Sequence, residues 1–240
     1  MNVLITGGSS GLGRAIVENI ACNDIHKVYF TYNRHEEEAF AVKGGRDSIV
    51  PIKCDFSNGE DVTRLVDLIP GIDLDVLINN AYVGSAQGKH FHKNSDFDFL
   101  KSFQDNIVPT VRISQTAIRC FREKKYGKII NVLTAYLVNL PPIGVSIYTA
   151  NKAYLQQLSK SWNAEYSGYN ITSNCISPDF MQTNLSADVD GRIIEQMITA
   201  HPLKQLLTPV EVAEAVSFLV NASQQVNGTN IIINSAKNVG

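Results

Sequence analysis

The sequence predicts an α/β fold: a single doubly wound parallel sheet of about seven strands with helices on both faces. Three observations predict it. Short apolar runs alternate along the whole chain with segments of helical periodicity. A glycine-rich turn separates the first such run from the first helix. The 240 residues, 44% hydrophobic and 18% charged, have room for one large core, and no linker, repeat or composition shift divides them, so one domain over 1–240 is expected.

Taken in order, residues 2–6 read as a buried strand, followed by the glycine turn and a helix running to about residue 23. A second strand is expected at 27–31 and a helix at 36–42. The third strand, 48–53, leads to a helix at 60–69, and the fourth strand is 75–79. A long helical region spans about 96–124, then a fifth strand covers 128–133. Residues 148–165 read as helix, 171–176 as the sixth strand, 210–220 as helix and 229–233 as the last strand. Strands alternating with helices make β-α-β units, whose right-handed crossovers give parallel strands. Two stretches, 81–94 and 177–200, are less regular and follow strand ends. Ligands of open parallel sheets bind outside the carboxyl ends of the strands, which makes both stretches candidate walls for a substrate.

Composition excludes several classes. A net charge of −2 gives no electrostatic case for nucleic acid. The basic cluster Arg119, Arg122, Lys124, Lys125 and Lys128, with Glu123 inside it, reads as a solvated helix end. No apolar run approaches a membrane span, and no secretory leader precedes the first strand. The four cysteines, Cys22, Cys54, Cys120 and Cys175, form no C-x-x-C pair and read as reduced thiols, mostly buried. A cytoplasmic protein without metal is expected.

The first chemical motif is Thr6-Gly7-Gly8-Ser9-Ser10-Gly11-Leu12-Gly13, directly between strand and helix. Glycines allow a tight turn and close approach of backbone to a pyrophosphate, and the helix N-terminus offers free N–H groups. This is the Rossmann-type dinucleotide arrangement. An acid at the end of the second strand would hold the ribose of NAD. The chain instead has Thr31-Tyr32-Asn33-Arg34, without an acid and with an arginine able to pair with a 2′-phosphate, so NADP(H) is favoured. Glu residues at 36–38 are the alternative partners for Arg34. In Cys54-Asp55-Phe56, Asp55 either accepts the adenine amino group or caps the next helix.

Tyr148 and Lys152 form Y-x-x-x-K on one helix face. A cation near a phenol favours phenolate and brings it toward the working range of an acid/base.

These motifs resemble the short-chain dehydrogenase/reductase family over essentially the whole chain. The resemblance is carried by the glycine turn, Asn79-Asn80-Ala81, Asn106, the Tyr148/Lys152 pair and Pro178. It is greatest to the 3-oxoacyl-carrier-protein reductases, through Gly13-Arg14-Ala15-Ile16, Pro202-Leu203 and Thr208-Pro209-Val210-Glu211-Val212-Ala213. The resemblance implies that Tyr148 gives the proton, that Lys152 lowers the phenol pKa and holds the nicotinamide ribose, and that Asn106 fixes a relay water. It implies that Asn79 and Ala81 line the adenosine ribose, and that Met181 and Thr183 meet carboxamide and phosphates, with core packing the alternative for Ala81 and Met181. Gly7, Ser9, Ser10, Gly11, Leu12, Gly13, Asn33, Arg34, Asp55, Phe56 and Pro178 complete the expected cofactor contacts. The family serine that holds the substrate oxygen is absent. Ala135 stands at its count from the tyrosine, but aligning the strand puts Thr134 there, which keeps the hydroxyl. Tyr82 and Asp179 stand where glycines are usual, and Asn234-Ser235-Ala236 lacks the usual glycine pair.

The expected function is an NADP-dependent carbonyl reductase acting on a 3-oxoacyl thioester or related β-keto substrate. The alternatives are the same redox chemistry on a sugar, polyol or secondary metabolite, and a dinucleotide-binding regulator without turnover. The substrate is small, or presented by a carrier protein. Apolar residues on more than one side of the long helices, such as Ile107, Val108, Val111, Ile113 and Ile118, predict a homodimer or homotetramer.

Overall fold

A computed structural model describes residues 1–22, 27–138, 140–186 and 188–237. The expected helix end near residue 23 lies outside the described residues. The chain runs β1 (Asn2–Ile5), α1 (Gly11–Ala21), β2 (Lys27–Tyr32), α2 (Glu36–Lys43), β3 (Ile49–Lys53), α3 (Gly59–Leu68) and β4 (Val76–Asn79). It continues through α4 (Asp96–Lys124), β5 (Gly127–Val132), α5 (Ser146–Tyr166), β6 (Ile171–Pro178), α6 (Gly191–Ala200), α7 (Pro209–Asn221) and β7 (Asn230–Ile233). The strands form one seven-stranded sheet in the order β3-β2-β1-β4-β5-β6-β7. Every pairing is parallel.

Alternation along each strand assigns the two faces. Val3, Ile5, Val28 and Phe30 bury against α1, α2 and α7. Leu4, Tyr29 and Leu77 bury on the other face with α3, α4 and α5. Both faces are covered, which is why the strands read as continuous apolar runs. The order reverses between β1 and β4, and a ligand crevice opens at that switch point, outside the strand ends.

The helix ends follow local chemistry. Ser95 and Asp98 form a capping box that starts α4, as Thr208 and Glu211 do for α7, with Pro209 in its first turn. Gly44 ends α2 in the left-handed region at φ 54°. Asn58, whose carboxamide accepts from Glu60 N and Asp61 N, caps α3; Asp55 is therefore not that cap.

Three expectations are corrected. The stretch 177–200 is not irregular throughout: Asp190 accepts from Arg192 N and starts α6. Helix α5 begins at Ser146, ahead of the expected 148, so Tyr148 sits in its first turn. Lys128 is not part of a solvated helix end, because it lies on β5 and is buried. Its Nζ donates to the carbonyls of Val220 (2.7 Å) and Ala222 (2.5 Å), at the carboxyl end of α7, where a cation complements the helix dipole.

Candidate active site

The strand ends build a cleft of about 600 Å³ at the β1/β4 switch point. Its floor is the glycine turn. Gly7 and Gly11 take φ 71° and 52°, backbone that side chains rarely adopt. A Cβ on Gly13 would lie 1.8 Å from the Gly7 carbonyl oxygen, and one on Gly8 2.6 Å from Phe30. The N-cap Ser10 makes no side-chain cap, and the first turn of α1 holds no acid. The helix therefore presents N–H groups with no carboxylate before them, a cradle that fits a pyrophosphate.

The turn is braced from β4. Asn80 Nδ2 donates to the carbonyls of Thr6 (2.9 Å) and Gly7 (3.0 Å). Thr6 Oγ1 accepts from the backbone of Asn80 (2.9 Å) and Ala81 (3.0 Å). Gly7 N donates to Thr31 Oγ1 at 2.8 Å, tying in β2.

Most expected cofactor contacts line this cleft: Gly7, Ser9, Ser10, Gly11, Leu12 and Gly13 on the turn, then Asn33, Arg34, Phe56 and Ala81. Tyr148, Lys152, Pro178, Met181 and Thr183 line it too. Thr183 stands beside Gly11, 3.4 Å from where a Cβ would be. Met181 also packs on the core beneath. Arg34 is exposed at the rim, and among the described residues no ion pair with the glutamates of α2 engages it.

Asn79, Asp55, Asn106 and Thr134 are not on the cleft surface. Asn79 is buried in the sheet, its Nδ2 donating to Ser114 Oγ (3.0 Å) and Asn131 Oδ1 (2.9 Å). The neighbouring Asn80, which alternation turns the other way, faces the cleft instead. Asp55 Oδ1 accepts from Ser57 N (2.8 Å) and Ser57 Oγ (2.7 Å). Burial would raise its pKa, but the Ser57 hydrogen bonds, with Asn33 and Arg34 beside it, hold it below the usual carboxylate value. The Asn106 carboxamide is tied to Val83, accepting from its N–H (2.6 Å) and donating to its carbonyl (3.2 Å).

The catalytic candidates meet at the other end. Tyr148 is buried and the Lys152 ammonium lies 5.7 Å from its ring centroid, while Lys152 Nζ donates to the Val132 carbonyl at 2.7 Å. The expected lowering of the phenol pKa is not found. Burial pushes the phenol well above its ordinary value, and the Tyr82 and Tyr136 phenols add to this against a hydrogen bond with Thr134. Burial is the largest influence on the phenol and outweighs the cation beside its ring. Burial likewise brings Lys152 down to about 8. Thr134 hydrogen-bonds the Tyr148 phenol, and its Oγ1 also accepts from Tyr136 N at 3.3 Å.

Sequence reasoning singled out Tyr82 but not its contact with Tyr148, and it missed Tyr136. The Tyr82 and Tyr148 rings make a T-shaped contact, with centroids 5.0 Å apart. Tyr136 is raised to about 12 by burial and by Asp179. It lines a second cavity of about 170 Å³ with Asp179 and Lys237, which form an ion pair at 3.2 Å. Their places after β4 and β5 were the available signal.

The comparisons agree with this geometry. The family model for short chain dehydrogenase matches residues 1–192. "Nodulation protein G" of Rhizobium sp. (strain N33) is 31% identical over 96% of this chain and 94% of its own. The "3-oxoacyl-[acyl-carrier-protein] reductase MabA" of Mycobacterium bovis is 27% identical over 100% and 93%. A solved short chain dehydrogenase from Burkholderia cenocepacia J2315, in complex with NADP, superposes with a TM-score of 0.86 at 26% identity, covering 99% of this chain and 97% of that one. With a glycine cradle at one end of its cleft and a tyrosine–lysine pair at the other, this chain belongs to the short-chain dehydrogenase family and is an oxidoreductase.

Proposed function

We propose that the chain is a single-domain, NADP(H)-dependent carbonyl reductase whose substrate is a 3-oxoacyl thioester or related β-keto compound. One observation carries this reading: a buried phenol, kept protonated, stands at the end of the cleft that begins at the pyrophosphate cradle. A protonated acid is what reduction of a carbonyl needs.

The dinucleotide, when bound, supplies hydride from the nicotinamide. The chain's own groups do the rest. The glycine turn and the N-terminus of α1 hold the pyrophosphate, and Arg34 and Asn33 meet the 2′-phosphate. Met181 and Thr183 flank the carboxamide and phosphates. Thr134 hydrogen-bonds the substrate oxygen and Tyr148 donates its proton to it. Lys152 orients the ribose and supplies the positive charge beside the phenol. Asn106, tied to Val83, acts on the route by which the proton is replaced.

The same chemistry on a sugar or polyol is the second reading. The Asp179–Lys237 pair favours it, because a charged wall suits hydroxyl groups better than an acyl chain. The exposed Phe97 and Leu100 of α4 and Tyr154 of α5 support a homo-oligomer built on these helices.

A panel of ketones with NADPH, followed by loss of cofactor absorbance, tests the reaction. Comparing one β-keto acyl group on a carrier protein and on a pantetheine mimic, at low and high salt, tests the carrier. Comparable kcat/KM is expected, since the charge of −2 gives an acidic carrier little long-range attraction. A large, salt-sensitive carrier advantage would reverse that expectation. Turnover of none of the ketones would overturn the reductase reading.

A further inference from the structure

The resemblance leads one to expect glycine at position 82, and the chain has tyrosine. Its hydroxyl lies 3.4 Å from Ser102 Oγ on α4 and also hydrogen-bonds the Asn151 side chain on α5. Asn151 Nδ2 donates to Ser102 Oγ at 2.9 Å. The phenol is thus fastened to both helices, and the tilt of its ring is fixed. That tilt sets the ring at 78° to Tyr148, a T-shaped contact.

The Lys152 ammonium stands about equally far from the two rings. Its Nζ is 5.5 Å from the Tyr82 centroid and 5.7 Å from that of Tyr148. Both distances are within the range of a cation–π contact. Among the described residues no carboxylate forms an ion pair with it. Val132 supplies a neutral carbonyl acceptor. Burial is the influence that acts on Lys152, and the titratable groups acting on Tyr148 are Tyr82 and Tyr136. A buried ammonium without a counter-ion needs some other source of negative potential. The Tyr82 ring face stands within reach of it.

We propose that Tyr82 is a positioning residue for Lys152: its ring face holds the buried ammonium in its charged form in place of a counter-ion, and its T-shaped contact keeps the Tyr148 ring beside that charge. The inference rests on the reading of Tyr148 and Lys152 as the acid and its cation. It makes the residue at 82 a determinant of the pH range over which the pair works.

The test separates ring electrons from ring shape. In the cofactor-free protein labelled with ¹³C-lysine, the Lys152 Cε resonance is the one lost in Lys152→Met, and its titration gives the lysine pKa directly. Tyr82→Phe removes the hydroxyl and keeps the face, so the pKa should stay near the wild-type value. Phenylalanines carrying increasing numbers of fluorines at position 82 keep shape and burial while draining the face. The pKa should then fall stepwise, by about half a unit or more across the series. Tyr82→Leu should match the most fluorinated ring. An unchanged lysine pKa across the fluorinated series would overturn the proposal, as would a fall in Tyr82→Phe equal to that in Tyr82→Leu. The alkaline limb of kcat/KM for ketone reduction should move to lower pH in the same order. A wild-type protein that reduces no ketone would count against the reductase reading alone, because the lysine titration needs no turnover.

Discussion

Gly13 touches Gly7: a Cβ added to Gly13 would stand 1.8 Å from the Gly7 carbonyl oxygen. The first turn of α1 therefore lies directly on the turn that precedes it. Gly13→Ala must push the helix off the turn and spread the N–H groups of the cradle. NADPH affinity should drop roughly tenfold or more, on the scale of overpacking a tight contact. Fluorescence titration of NADPH checks this, and binding equal to wild type would contradict it.

Tyr148→Phe removes the proposed proton donor and keeps the ring. Its kcat should fall by about 10²–10⁴-fold with NADPH binding nearly intact. Thr134→Ala should cost on the order of 10²–10³-fold, the scale of a lost transition-state hydrogen bond, while Thr134→Ser is tolerated. Steady-state kinetics on one reactive ketone measures all three. Near-wild-type rates in Thr134→Ala would show that the serine position is vacant in this chain.

Arg34 stands exposed at the rim of the cleft, beside Asn33. Arg34→Ala should weaken NADPH binding and leave NADH binding unchanged, because a guanidinium that pairs with the 2′-phosphate would find no such group on NADH. Dissociation constants for both cofactors decide the point. An equal loss for both would remove Arg34 from the phosphate site.

The parallel sheet and the two ends of the cleft were legible because they rest on local signals. Glycines at a strand–helix junction and a tyrosine–lysine pair one helical turn apart carry their meaning in the sequence. What escaped is set by packing between distant elements. Which of Asn79 and Asn80 faces the cleft depends on how β4 is rotated in the sheet, and only the neighbours Ser114 and Asn131 reveal it. The phenol pKa went the other way because burial of Tyr148 is a property of the whole site, whereas the i, i+4 spacing conveys only the cation. Lys128 looked like one more surface charge because the carboxyl end of α7, which it caps, comes more than ninety residues later.

Lys152 also enters the stability of the fold. Burial lowers its pKa to about 8, below the ordinary lysine value. Between those two values the unfolded chain holds a proton that the native state has released, so the Lys152 contribution to stability rises with pH in that window. Below about 8 the native state carries the full cost of the buried charge. Lys152→Met should therefore lose part of the rise in urea midpoint that the wild type shows from pH 8 upward. Parallel curves for the two proteins would refute this.

The basic segment near the end of α4 has a consequence for how the surface behaves toward polyanions. Five positive residues fall between positions 119 and 128. Lys124 is matched by Asp73 and Asp75, Arg122 lies over the Tyr169 ring, and Lys128 is enclosed by α7. Arg119, Arg122 and Lys125 keep uncompensated charges, with Glu123 among them. A polyanion laid on this edge would displace about three condensed counterions rather than five, so the salt slope of its adsorption to heparin or to a carrier should be correspondingly shallow.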